Sequence, residues 1–145
     1  MCIRDRDGFK GINDTYGHQQ SDVFLQEIAR RLAMAVRTSD MVGRLGGDEF
    51  VLIGPGPALA RGDAAPGQDA ERGDAQEAAR SLEDRAAAAT VGRYQLGDTA
   101  LPYEGASVGV VALDPRGLAA EEAVRLADAR MYEIKRARKA ARTIH

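Results

Sequence analysis

Gly46 and Gly47 join two short apolar segments, residues 41–45 and 48–53, and this pairing constrains the fold more than any other feature of the chain. Tight two-residue turns need positive φ, which glycine adopts without steric cost, so the segments are expected to fold back on each other as a β-hairpin. Just before them, in 21–39, Phe24, Leu25, Ile28, Leu32 and Val36 recur at spacings of three and four. That period predicts an amphipathic helix, with Ser21 or Asp22 placed to cap its start.

Beyond the hairpin the composition turns to Gly, Pro, Ala and Asp with no apolar period, and 54–74 is read as an exposed, disordered insertion. An alanine-rich helix is expected over 76–89. Strands are expected over 91–96 and 105–113, with Gly97-Asp98 between them as a turn signal. A last helix over about 120–141 has Ala123, Leu126, Ala127, Met131 and Ile134 on its inner face. The order (strand)–helix–strand–strand–helix–strand–strand–helix suits an α+β fold, a ferredoxin-like, mainly antiparallel sheet flanked by helices. If a strand precedes Asp5, only Cys2 and Ile3 remain of its apolar body, too short to sit stably in a sheet, and the domain is expected to lack most of its first strand and a preceding helix.

Length and charge exclude several classes of function. At 145 residues the chain is one domain, large enough to bury a core. Its 20 Lys+Arg against 22 Asp+Glu argue against a domain held to nucleic acid or anionic lipid by bulk charge. The single cysteine, Cys2, forms neither an internal disulfide nor a cysteine-based zinc site and points to a reducing compartment. No apolar run approaches the roughly 20 residues of a membrane span, and the first residues do not read as a signal peptide.

Chemistry-bearing residues gather in three clusters. The first runs from Asp5 to Asp14 and on through Gly17, His18 and Asp22; the second is Gly46-Gly47-Asp48-Glu49-Phe50; the third is Arg37-Thr38-Ser39-Asp40. Acidic residues at a strand end and on a hairpin turn can converge on Mg²⁺, which takes one or two carboxylates plus substrate phosphates. Two such ions about 4 Å apart would serve an in-line phosphoryl transfer. Taken alone, Asp48 and Glu49 read more readily as ordinary solvated turn residues.

They do not stand alone. Gly46-Gly47-Asp48-Glu49-Phe50 is the signature of the GGDEF family, the diguanylate cyclases. Asp5-x-Asp7-x-Phe9-Lys10-x-Ile12-Asn13-Asp14-x-x-Gly17-His18-x-x-x-Asp22 resembles that family's upstream motif at the expected separation. The resemblance covers nearly the whole chain apart from 54–74. It implies a nucleotidyl cyclase-like fold and condensation of two GTP molecules into cyclic di-GMP with release of pyrophosphate. It also implies Mg²⁺ (or Mn²⁺) as cofactor and a cytoplasmic setting where GTP is supplied.

By the same resemblance Asp5 and Asp48 would be metal ligands, assisted by the backbone carbonyl of Arg6. Glu49 would join the metal site or help deprotonate the 3′-hydroxyl, a base role that Asp48 can equally fill. Gly46 and Gly47 would let the backbone approach the triphosphate. Lys10 would neutralise charge developing on the phosphates, its bland alternative being a solvated lysine beside acidic neighbours. Asn13 and Asp22 would read guanine, Asp22 otherwise being a helix cap. His18 would lie near base or ribose, or else be a hydrogen-bonded structural histidine. Near the end, Asp128-Ala129-Arg130-Met131-Tyr132-x-x-Lys135 resembles the family's closing segment, with Lys135 on the β- and γ-phosphates. Lys139 stands where an arginine is expected, keeping the charge without the bidentate fork; these basic residues would also suit a helix C-terminus. Arg4 and Arg6 likewise occupy positions where the family pattern is apolar.

Five residues separate Asp40 from Gly46, which is where the family carries its inhibitory site. There Arg37 would clamp phosphate or stack on guanine of the cyclic di-GMP product and Asp40 would pair with the guanine edge. A helix-end ion pair is the other reading of Arg37 and Asp40. Each active site would hold one GTP, so the implied partners are GTP, cyclic di-GMP and a second copy of the domain, brought together by an upstream sensory or dimerisation region. Nucleic acid is not among them. The alternative function is a catalytically silent domain that senses cyclic di-GMP or GTP.

Overall fold

The computed structural model describes residues 2–4, 6–54, 68–113 and 118–143. Its elements follow the order β1 (Cys2–Arg4), α1 (Arg6–Ala35), β2 (Met41–Gly46), β3 (Glu49–Ile53), α2 (Gln68–Thr90), β4 (Gly92–Leu96), β5 (Thr99–Tyr103), β6 (Ser107–Gly109) and α3 (Ala120–Thr143). Four strands form one sheet in the order β2-β3-β1-β6, every neighbouring pair antiparallel. The pair β4-β5 forms a separate two-stranded sheet. This is the expected α+β architecture. No helix among the described residues is long and apolar enough to cross a membrane.

The core is built by alternation. Phe50 and Leu52 project from one face of β3 into a buried cluster with Ile12, Phe24, Leu25, Ile28 and Leu32 of α1, Ala86 of α2 and Val108 of β6. Gly109, next to Val108, faces the other way, and there α3 lies directly against the strand. A Cβ on Gly109 would stand 2.6 Å from the carbonyl oxygen of Ala127. Ala127 and Met131 are buried at this contact, as the inner face read for the last helix requires.

The hairpin β4–β5 is fastened to α1 by rings. Phe24 lies 4.6 Å from Tyr94 and 5.0 Å from Tyr103, the latter edge-on at 85°. The guanidinium of Arg31 stands 4.0 Å above the Tyr94 ring and donates to the carbonyls of Val91 and Arg93. Tyr94 is buried, and its hydroxyl donates to Thr90 O at 2.6 Å; burial pushes its pKa up to about 12.

Arg31 and Arg30 also share Glu27, at 2.7 Å each. Hydrogen bonds from Arg30 first, then Arg31, lower the Glu27 carboxyl to about 2 from its ordinary 4.5. A depressed folded-state pKa means the contribution is complete above pH 4.5 and is lost as pH falls toward 2. Glu27→Gln is therefore expected to cost about 1 kcal/mol at neutral pH, after discounting for the partly exposed side chain, and progressively less as pH falls through 2. Urea melts of both proteins across this pH range would measure it.

Four expectations are corrected. The helix expected from Ser21 begins at Arg6 and ends at Ala35, and it bends at Gly17, where φ is 78° and ψ is 171°. Ser21 is no cap: it lies one turn inside the second arm, and its hydroxyl donates back to Gly17 O at 3.0 Å. The disordered reading of 54–74 fails over 68–74, which are the first turns of α2; residues 55–67 lie outside those described. Once the alanine-rich run is helical, each added residue gains a hydrogen bond, and Gly73 costs only about 1 kcal/mol. Third, Gly97-Asp98 does not lead to the strand at 105–113 but to β5, and the later strand is only Ser107–Gly109. The fourth concerns Cys2 and Ile3, which do sit in the sheet. They pair with Val51 and Phe50 on one side and with Gly109 and Val108 on the other, so a short strand is held by hydrogen bonds along both edges.

Candidate active site at the β2–β3 turn

The β2–β3 hairpin pairs Met41 with Ile53, Val42 with Leu52, Gly43 with Val51 and Arg44 with Phe50, then shifts register so that Gly46 faces Glu49. The shift is a local bulge, which re-aims the end of the ladder. Gly47 follows at φ 52°, in the left-handed region that favours glycine. Arg44 Nε donates to Gly47 O at 2.8 Å and braces the turn from below. Asp48 is thereby set on the turn and Glu49 opens β3; both are half-buried, whereas Gly46 and Gly47 are exposed.

Asp48 lines a small cavity together with Phe9, Phe24, Phe50 and Tyr103. The first arm of α1 therefore reaches the turn, and Lys10, next to Phe9, is exposed beside it. The antiparallel register of β1 and β3, Cys2 with Val51 and Ile3 with Phe50, carries the C-terminal end of β1 toward Glu49. Arg6 opens α1 at the same end; Asp5 lies outside the described residues. Among the described residues no three histidine, cysteine or carboxylate groups converge on a metal position. Asp48 on the turn and Glu49 at the start of β3 are neighbours in sequence with the hard oxygen donors that Mg²⁺ takes, an ion that needs only one or two carboxylates beside substrate phosphates.

The bend at Gly17 organises the second group. Asn13, half-buried on the first arm, has its carboxamide 3.2 Å from the Ser21 hydroxyl oxygen, and so the two arms meet across the bend. Asp22 and His18 are exposed on the second arm, either side of this contact. Lys135 is half-buried on α3, one turn beyond Met131. It lies on the element covering the opposite face of the sheet from α1. Lys139 is also in α3, its side chain outside those described.

Arg37 and Asp40 fall between α1 and β2. Asp40 Oδ2 accepts from the main-chain N–H of Arg37 at 2.8 Å, and Asp40 N donates to Arg37 O at 2.9 Å. The carboxylate is thus held by the backbone of Arg37, whose own side chain is exposed. It lies so close over Gly54 that a Cβ there would stand 2.7 Å from Asp40 Oδ1. The contacts of Ser21 and Gly54 were missed in the sequence because each arises from the bend or the end of the hairpin, where chain-distant groups meet. Only the pairing of a small residue with a nearby turn hints at either.

Comparison with known proteins places this geometry. The family described as "Diguanylate cyclase, GGDEF domain" matches residues 1–141. Diguanylate cyclase DgcP of Escherichia coli (strain K12) is 36% identical over 136 residues, which cover 94% of this chain and 35% of that protein. The diguanylate cyclase SiaD of Pseudomonas aeruginosa, solved in complex with its activator SiaC, superposes with a TM-score of 0.70 at 32% identity, over 94% of this chain and 45% of that one. The GGDEF domain of DgcB from Caulobacter crescentus, solved in complex with c-di-GMP, gives a TM-score of 0.65 at 26% identity, over 94% of this chain and 71% of that one. The chain thus spans about a third of the length of the first curated relative. With the signature residues on the turn and the family match running almost end to end, this chain belongs to the GGDEF family of diguanylate cyclase domains.

Proposed function

We propose that this chain is the catalytic domain of a diguanylate cyclase, which condenses two GTP molecules into cyclic di-GMP. The carrying observation is the braced turn that sets Asp48 and Glu49 beside the first arm of α1, at the edge where β1 ends. The 3′-oxygen of one GTP bonds to the α-phosphorus of the other, the bond to the β-phosphate breaks, and pyrophosphate leaves; repetition in the opposite sense closes the ring.

In this reading Asp48, Glu49, Asp5 and the Arg6 carbonyl hold Mg²⁺, or Mn²⁺ in its place. When bound, the cation neutralises phosphate charge and makes the 3′-hydroxyl more acidic. Glu49 or Asp48 takes the proton of that hydroxyl. The exposed backbone of Gly46 and Gly47 lies along the triphosphate. Lys10 offsets charge that grows in the transition state, and Lys135 and Lys139 hold the terminal phosphates. Asn13 and Asp22 read guanine, with His18 near the base or ribose.

One domain holds one GTP, so two copies must face each other, brought together by a region upstream in the longer protein. The test is to supply GTP and Mg²⁺ or Mn²⁺ to the chain fused to a dimerising coiled coil and resolve the products by chromatography. Cyclic di-GMP with two pyrophosphates per ring is expected; GTP left intact would overturn the reading.

Arg37 and Asp40 form the inhibitory site for the product in this reading. The backbone-held carboxylate of Asp40 is set to pair with a guanine edge, and the exposed Arg37 side chain to reach a phosphate. Losing a charge-assisted contact of this kind weakens binding about tenfold or more. Arg37→Ala is therefore expected to raise the inhibition constant for cyclic di-GMP by at least about tenfold with little change in uninhibited rate. A titration showing an unmoved constant would place the inhibitory site elsewhere.

A further inference from the structure

The β2–β3 ladder closes on the Gly46–Glu49 pair, so Gly47 and Asp48 are the two residues of the turn and the peptide between them lies beyond the last rung. That peptide is planar, and its carbonyl oxygen and N–H point to opposite sides. Turning it over leaves the flanking Cα atoms in place and interchanges the two ordinary hairpin turns, I′ and II′. Both need positive φ at the first position. Gly47, at φ 52°, satisfies both and has no Cβ to oppose the rotation. The second position does not come through unchanged, because φ at Asp48 takes opposite signs in the two turns.

A single side chain holds the peptide one way up. Arg44 Nε donates to Gly47 O at 2.8 Å and keeps that oxygen on its own side of the turn. The register explains how it reaches. Arg44 faces Phe50 across the ladder, and directly paired residues project from the same face of a sheet. Phe50 is buried against α1, so Arg44 rises on that face too, from the strand that ends the sheet, with its side chain exposed.

We infer that Arg44 is a positioning residue for the reaction: through Gly47 O it keeps the turn in one of its two arrangements and so holds Asp48 at one φ. The inference rests on the proposed reading that Asp48 takes part in the reaction. A carboxylate carried on an alternating peptide is out of place for part of the time, and a displacement of about 1 Å is costly to a reacting group. Because the contact ends on a neutral carbonyl, the donor on Cδ matters more than the charge of the guanidinium.

Two substitutions separate donor from charge. Arg44→Gln puts an amide nitrogen on Cδ, where Nε stands, and removes the charge. Arg44→Lys keeps the charge and puts a methylene there. GTP turnover is measured on the full chain fused to the dimerising coiled coil, and the backbone amides of Gly47 and Asp48 are followed by NMR in the unfused chain. Arg44→Ala and Arg44→Lys are expected to lower kcat about tenfold, with KM for GTP within about twofold. They are also expected to double or broaden those two amide signals while Val108 and Gly109 stay sharp. Arg44→Gln is expected to keep kcat within about threefold of wild type and to show single, sharp signals.

Wild type that leaves GTP intact would overturn the cyclase reading and this inference together. With an active wild type, Arg44→Lys outperforming Arg44→Gln would overturn this inference alone, since Arg44 would then act by its charge. Single, sharp Gly47 and Asp48 signals in Arg44→Ala would overturn it as well, because the turn would hold without the bond. So would broadening in Arg44→Ala that reaches Val108 and Gly109, the mark of a merely structural arginine.

Discussion

Asp48→Ala is expected to lower cyclic di-GMP formation by about a thousandfold or more, equivalent to roughly 4 kcal/mol of transition-state stabilisation. The melting temperature is expected to stay within about 3 °C, under 1 kcal/mol for a chain of this size. The separation of the two effects follows from how the turn is built. Its backbone is set by Gly47 at φ 52°, by the β2–β3 ladder and by the Arg44 bond to Gly47 O, none of which uses the Asp48 side chain. The carboxylate sits beside a cavity lined by Phe9, Phe24 and Phe50, where an alanine methyl is well tolerated. Chromatographic assay and thermal melts of the same sample test both halves. Unchanged turnover would remove Asp48 from the reaction, whereas a collapsed melt would make it a structural residue.

Gly109→Ala is expected to carry the largest stability cost, about 3 kcal/mol and a fall of roughly 10 °C in Tm. The added Cβ would stand 2.6 Å from both Ala127 O and the Met131 Cα. These are backbone atoms of a helix that cannot rotate aside like a side chain, so α3 as a whole must back away from β6. Buried Met131 and Ala127 would then lose packing. Gly43 gives the contrast within the same sheet: a Cβ there meets only Val51 Cγ1, at 3.3 Å. A side-chain tip can yield by a few tenths of an ångström, and Gly43→Ala should cost far less. Thermal melts of the two variants side by side decide it; equal losses would mean that α3 does not bear on β6 as described.

Where local chemistry governs, the chain was legible. The hairpin followed from Gly46-Gly47, since the turn needs positive φ, and the inner face of α3 followed from the spacing of Ala127 and Met131. The signature residues fell where the turn puts them. Three elements were hidden for physical reasons. The first arm of α1 contains Gly8, Gly11, Asn13 and Asp14, all weak helix formers, and is carried by packing of Ile12 in the core and Phe9 against it. Strand β5 contains Pro102, which normally demotes a strand; here it faces Arg93 in a sheet that has only two strands among the described residues. The start of α2 holds Asp69, Gly73 and Asp74, weak helix formers that are carried by the alanine-rich turns after them. At the site, the contact between Asn13 and Ser21 and the seat of Asp40 over Gly54 depend on the tertiary bend and the sheet end, which no spacing rule encodes.

The position of β1 has a consequence for the order of assembly. Cys2 pairs with Val51 on one edge and with Gly109 on the other, so the centre of the sheet joins parts of the chain that are far apart in sequence. Hairpin β2–β3 closes over a two-residue turn and can form early, carrying Asp48 and Glu49 with it. The pairing of β1 with β6 closes a far longer loop, a slow step whose entropy must be offset before the contacts form. During synthesis the first strand leaves the ribosome long before its second neighbour exists. The β2–β3 turn is therefore made before the edge on which β1 pairs with β6.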